Sequence, residues 1–126
     1  MSHAPTILVI DDGSGLQSLL CQILLDAGYS VRALPTREAT LRILPDCRQA
    51  IVLMEWKAEG ITAERFIDAV RRLGGETEIV VMSAQDRAMQ AAEACAVKYI
   101  LRKPFQVEQL LTVVDACVCR RLVQAS

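Results

Sequence analysis

Ile7-Leu8-Val9-Ile10-Asp11-Asp12 is the stretch whose reading decides the fold. Four apolar residues with no polar alternation lead straight into two aspartates. An unbroken, largely β-branched run of this length reads as a strand covered on both faces, as in a parallel sheet. The same pattern returns at Ile51-Val52-Leu53-Met54-Glu55 and Ile79-Val80-Val81-Met82-Ser83, and in shorter form at Tyr99-Ile100-Leu101. Between the first and second of these, Val31 and Ala33 alternate with Ser30 and Arg32, which suits an edge strand with one wet face.

Helical periodicity fills the gaps. Leu16, Leu19, Leu20, Ile23 and Leu24 form one stripe, with Ser14 as the expected N-cap and Gly28 as the stop. A short second helix is expected from Thr36 to Leu44, closed by Pro45. Ala63, Phe66, Ile67 and Val70 follow Thr62 and end at Gly74-Gly75; an Ala-rich helix covers Asp86 to Ala94. Val107, Leu110, Leu111, Val114, Cys117 and Val118 make the last stripe. Strands alternating with helices at this spacing specify right-handed βαβ units, hence a doubly wound α/β domain of five parallel strands and five helices.

Composition narrows the function classes. The 126 residues fit a single domain, expected to span 1–126 with its core at about 5–120, without linker or internal repeat. Hydrophobic residues at 52% and a net charge of −1 exclude a disordered tail and argue against a nucleic-acid groove. The N-terminus lacks a signal-peptide pattern and no long apolar run exists, so a cytoplasmic, non-membrane protein is expected. Cys21, Cys47, Cys95, Cys117 and Cys119 contain no CxxC pair and read as reduced thiols serving as small hydrophobes. His3 lies in a terminus expected to fray and is assigned no role.

In doubly wound sheets ligands bind beyond the carboxyl ends of the strands. Those ends carry Asp11 and Asp12, then Glu55 with Lys57 close behind, then Ser83, and finally Lys103 before Pro104 and Phe105. Three converging carboxylates repel one another and call for a cation, either a hard divalent ion such as Mg²⁺ or a lysine. A hydroxyl and an ammonium opposite them suit the oxygens of a phosphoryl group.

Ile7 to Asp12, Ile51 to Glu55, Ile79 to Ala84 and Leu101 to Phe105, in that order and spacing, resemble the receiver domains of bacterial two-component signalling. The resemblance is to the single-domain chemotaxis response regulators in length and layout. It implies a flavodoxin-like sheet of order 2-1-3-4-5. It further implies that Asp11 and Asp12 help hold Mg²⁺, that the third strand ends in the phosphoacceptor, and that Ser83 and Lys103 bind the phosphoryl group. A histidine kinase is the implied phosphodonor.

The departures define the functional expectation. The acceptor position holds Glu55 rather than Asp, one methylene longer by about 1.5 Å. Gly13 stands where the family usually carries a further acidic residue, and Ala58-Glu59-Gly60 replaces its Pro-Gly-rich turn. Lys57 occupies the position whose carbonyl would ligate Mg²⁺, and its side chain either enters the acidic cluster in place of the ion or stays in solvent. The aromatic switch position, three before Lys103, is Ile100, with Tyr99 one residue earlier. Either a bulge restores Tyr99 or the switch is absent.

The expected protein is therefore a stand-alone, atypical receiver, not an enzyme, in which Glu55 either imitates a phosphorylated state or merely abolishes switching. Its expected partner surface is the face of helix 4, strand 5 and helix 5, near Arg87, Arg102 and Gln106; homodimerisation is open. A conventional Mg²⁺-dependent phosphoacceptor is the alternative. A small metal-dependent α/β hydrolase is a remote third, lacking a placed His, a nucleophile elbow or a Gly-rich phosphate loop.

Overall fold

The computed structural model describes residues 5–10, 15–47, 49–57, 60–73 and 76–125, with side chains through 119. Strands β1 (Thr6–Ile10), β2 (Ser30–Leu34), β3 (Gln49–Glu55), β4 (Glu76–Ser83) and β5 (Tyr99–Arg102) alternate with helices α1 (Leu16–Asp26), α2 (Arg37–Ile43), α3 (Ala63–Arg72), α4 (Asp86–Ala94) and α5 (Val107–Ala125). The strands form one parallel sheet in the order β2-β1-β3-β4-β5. This is the expected doubly wound architecture. The three unbroken apolar runs take the three central places, where both faces are covered.

Period-2 alternation divides the core into two halves. Ile7, Val9, Ile51, Leu53, Val80, Met82 and Leu101 face α1 and α5, where Leu20, Leu24, Leu110, Val114 and Cys117 meet them. Leu8, Ile10, Val52, Met54 and Val81 face the opposite side, against Phe66, Ile67, Val70 and Ala92. The phase expected for α1 puts Leu20 inward, and it is 2% exposed. Leu20→Ala is expected to cost about 2–5 kcal/mol in urea unfolding; a loss under ~0.5 kcal/mol would place that stripe outside the core.

Helix ends follow local chemistry. Thr36 Oγ1 accepts from Ala39 N at 3.0 Å and Thr62 Oγ1 from Arg65 N at 3.2 Å, capping α2 and α3. At the end of α1, Gly28 (φ +94°) lets Gly28 N reach Leu25 O and Tyr29 N reach Leu24 O, a Schellman closure. The expected Ser14 cap and the Gly74-Gly75 stop lie outside the described residues; Gly15 (φ +82°) immediately precedes α1.

Three details depart from expectation. The second helix runs from its N-cap Thr36 to its C-cap Leu44 and ends before Pro45 as expected, but the chain then continues through the proline in a 3-10 turn, Leu44–Asp46. Proline lacks an N–H, but a first-turn residue needs none. Strand β4 begins three residues before its apolar run, because Glu76, Thr77 and Glu78 extend the ladder against Gln49, Ala50 and Ile51. On β2, Ala33 is exposed rather than facing inward, as the outer position of this strand allows. The five cysteines are free thiols; Cys117 is buried, and burial pushes the Cys21 thiol above its ordinary pKa. Among the described residues no helix is long and apolar enough to cross a membrane.

Candidate functional site

The carboxyl ends of β3, β4 and β5 are tied together by backbone bonds past the last strand residues. Trp56 N donates to Met82 O at 3.3 Å, and Lys103 N donates to Ser83 O at 2.8 Å. Glu55 shares the parity of Ile51 and Leu53, and Lys103 that of Tyr99 and Leu101, so both side chains leave the sheet on the α1/α5 side. There the Lys103 ammonium and the Glu55 carboxylate form an ion pair. Its side chains are only 23% and 16% exposed, so water screens it less than an ordinary surface pair.

Ser83, at the adjoining tip of β4, is buried at 3% exposure with the parity of Ile79 and Val81, and its Oγ accepts from Gln85 N at 3.1 Å. Lys57 is exposed. Asp11, Asp12 and Gly13 lie outside the described residues. What leads into them is held firmly. Gln17 Nε2 donates to Val9 O at 2.8 Å and to Leu34 O at 2.9 Å, bracing the ends of β1 and β2 from α1.

Register decides the question at strand 5. The ladder runs unbroken from Val80–Tyr99 through Val81–Ile100 to Ser83–Arg102. No bulge intervenes, so Tyr99 packs on the α1/α5 side while Ile100 packs with the α2–α4 core. An aliphatic side chain therefore holds the position where an inward-turning aromatic was sought.

Sequence reasoning missed Arg37. It is the one buried charged side chain among the described residues, at 2% exposure. Its Nη2 donates to Glu55 O at 2.5 Å and Trp56 O at 2.7 Å, and its Nη1 to Ile61 O at 2.8 Å. Burial lowers its pKa from the ordinary arginine value, while Glu38, Glu64 and Glu55 oppose that shift; the guanidinium stays charged. A signal was present: Arg37 is the first residue of α2, where a cation opposes the helix dipole, so something other than the helix must favour it.

Receiver domains typically bind Mg²⁺ at their phosphorylation site. Among the described residues, no group of three His, Cys, Asp or Glu could hold a metal ion. The Glu55 carboxylate is engaged by Lys103, and the carbonyls of Glu55 and Trp56 accept from Arg37. The described donors do not by themselves fit a divalent ion.

On the far side, Arg102 pairs with Asp86 at 2.6 Å across an exposed surface and reaches Met89 Sδ at 3.8 Å. Arg87 and Gln106 are exposed near it. Lys103 also borders an apolar groove of about 430 Å³ between Leu16, Leu19 and Ile23 of α1 and Pro104, Phe105 and Val107.

A five-stranded parallel sheet of order 2-1-3-4-5, with an acidic group, a hydroxyl and a lysine at adjoining strand tips, defines a signal-receiver class of α/β domain. The chain belongs to the response regulator receiver domain family, whose model matches residues 7–115. It is 30% identical over 115 residues to the DNA-binding transcriptional regulator NtrC of Azospirillum brasilense and 26% identical over 114 residues to the response regulator protein FleR of Pseudomonas aeruginosa. These matches cover 89% and 88% of this chain but 24% of each relative, so the chain spans about a quarter of their length. Among solved structures, the Vibrio cholerae chemotaxis protein CheY4 superposes with a TM-score of 0.80 at 23% identity, covering 91% of this chain and 99% of that one. The receiver domain of a LuxO repressor protein from Vibrio parahaemolyticus gives 0.84 at 16% identity, covering 98% and 96%. At these identities the structural likeness speaks for the fold.

Proposed function

We propose that this receiver domain is an atypical, phosphorylation-independent interaction module of two-component signalling, in which Glu55 stands in the phosphoacceptor position. The family is a signalling module rather than a class of enzymes, and the chain carries the family's fold. The observation that carries the finer reading is the ion pair between Glu55 and Lys103. In this reading the Glu55 carboxylate occupies space that a phosphoryl group on a shorter Asp would enter. It gives Lys103 a permanent anionic partner, although one carboxylate supplies less charge and fewer oxygens than a phosphoryl group.

The module acts by presenting a surface to a protein partner in the cytoplasm. The face of α4, β5 and α5 around Arg87, Arg102 and Gln106 is the surface we assign to that partner. A histidine kinase is one such partner, and a homodimer is compatible with the same face. Mg²⁺ binding at Asp11, Asp12, Glu55 and the Lys57 carbonyl is weak or lost, since Glu55 is already paired.

Intact-mass analysis of the wild-type chain with Mg²⁺ and a small phosphodonor tests this reading. No phosphoryl adduct is expected. An adduct on the wild type, at Glu55 or Asp12, would return the protein to ordinary phosphorelay and overturn the reading.

A further inference from the structure

Burying a guanidinium is costly unless its donors are satisfied. Arg37 directs its terminal nitrogens at backbone carbonyls 18, 19 and 24 residues away, while its Nε is buried without an acceptor. A side chain placed only to fill space would not need a charge there. The three carbonyls belong to the end of β3 and to the loop that follows it. The next residue grips the same loop with opposite polarity: Glu38 Oε1 accepts from Ile61 N at 3.5 Å. The loop also approaches Glu38 so closely that a Cβ on Gly60, at φ +96°, would lie 2.8 Å from Glu38 Oε2. The first turn of α2 thus clamps the segment that starts at Glu55.

Holding the Glu55 carbonyl fixes the peptide plane after Glu55 and with it the direction of its side chain. We infer that Arg37 is a positioning residue, fixing the backbone of Glu55 and Trp56 so that the Glu55 carboxylate meets Lys103 and the ion pair stays closed. This inference rests on the reading that the Glu55–Lys103 pair sets the state of the domain. It gives α2, whose Arg37 holds the backbone of Glu55, control over whether that pair is made.

The chain has three lysines, Lys57, Lys98 and Lys103, and the first two are exposed. Competitive acylation of the folded full chain therefore reads Lys103 against two internal controls. In Glu55→Gln, Lys103 is expected to react about five- to tenfold faster relative to Lys98, the range a half-buried ion pair supports. Arg37→Gln is expected to give a similar rise, and the double variant no more than either alone. Arg37→Lys, which keeps the charge but loses the planar fork, is expected to fall between wild type and Arg37→Gln, and it carries the test if the Gln variant does not fold. A Lys103 rate unchanged by either Arg37 variant, beside a raised rate in Glu55→Gln, would overturn the inference and leave the underlying reading intact. An unchanged rate in Glu55→Gln would instead remove the reading on which it rests. Equal acceleration of all three lysines would make Arg37 a general structural residue and also overturn the inference.

Discussion

Glu55→Asp is expected to take up a phosphoryl group from a small phosphodonor with Mg²⁺ at least about 10²-fold faster than the wild-type chain, the scale that a misplacement of about 1 Å imposes on a reacting group. The argument is one of reach. The Glu55 carboxylate extends to the Lys103 ammonium and is held there. Shortening it by one methylene withdraws the carboxylate by about 1.5 Å and opens space between the acid and the ammonium. Ser83 lies at the adjoining tip of β4, where Lys103 N donates to its carbonyl. A time course of intact mass for both proteins measures the ratio. Equal rates would mean that more than one methylene separates this site from a working acceptor; the clamp of Arg37 on the Glu55 and Trp56 carbonyls would be the first place to look.

Phe66→Ala is expected to lower stability by about 3–5 kcal/mol, a large share of the roughly 5–15 kcal/mol that holds a domain of this size folded. Phe66 has no exposed surface and packs from α3 among Val52, Met54, Ile67 and Val81. The strand residues around it belong to the central β3 and β4 and cannot close on the void without breaking ladder bonds. Urea unfolding gives the number. A loss below about 1 kcal/mol would show that α3 can slide inward, and the two-layer core would then be softer than its burial implies.

Much of this architecture was legible because its causes are local. Ile7–Ile10, Ile51–Met54 and Ile79–Met82 are apolar without alternation, and only strands covered on both faces tolerate that. Thr36 and Thr62 announce the starts of α2 and α3 through bonds to amides three residues on. Once the strands are parallel, their ends must converge, which is why Glu55, Ser83 and Lys103 were picked out as neighbours before any distance was known. The slip of one position between Tyr99 and Ile100 was visible too. Its consequence was not, since a bulge and a regular ladder fit the same residues.

The fold class, the family resemblance and the place of Glu55 at the end of the third strand were all readable from residue type and short-range spacing. Tertiary structure alone decided that Glu55 is joined to Lys103, that Ile100 rather than Tyr99 faces the α2–α4 core, and that Arg37 is buried under the loop beyond β3. Those three outcomes depend on how strands 20 to 50 residues apart set their register and on which distant carbonyls a guanidinium meets. Arginine is exposed by default, and nothing within a few residues of Arg37 names its partners. They come into reach only when the end of β3 and the loop after it meet the first turn of α2, where the carbonyls of Glu55, Trp56 and Ile61 together offset the cost of burying a charge.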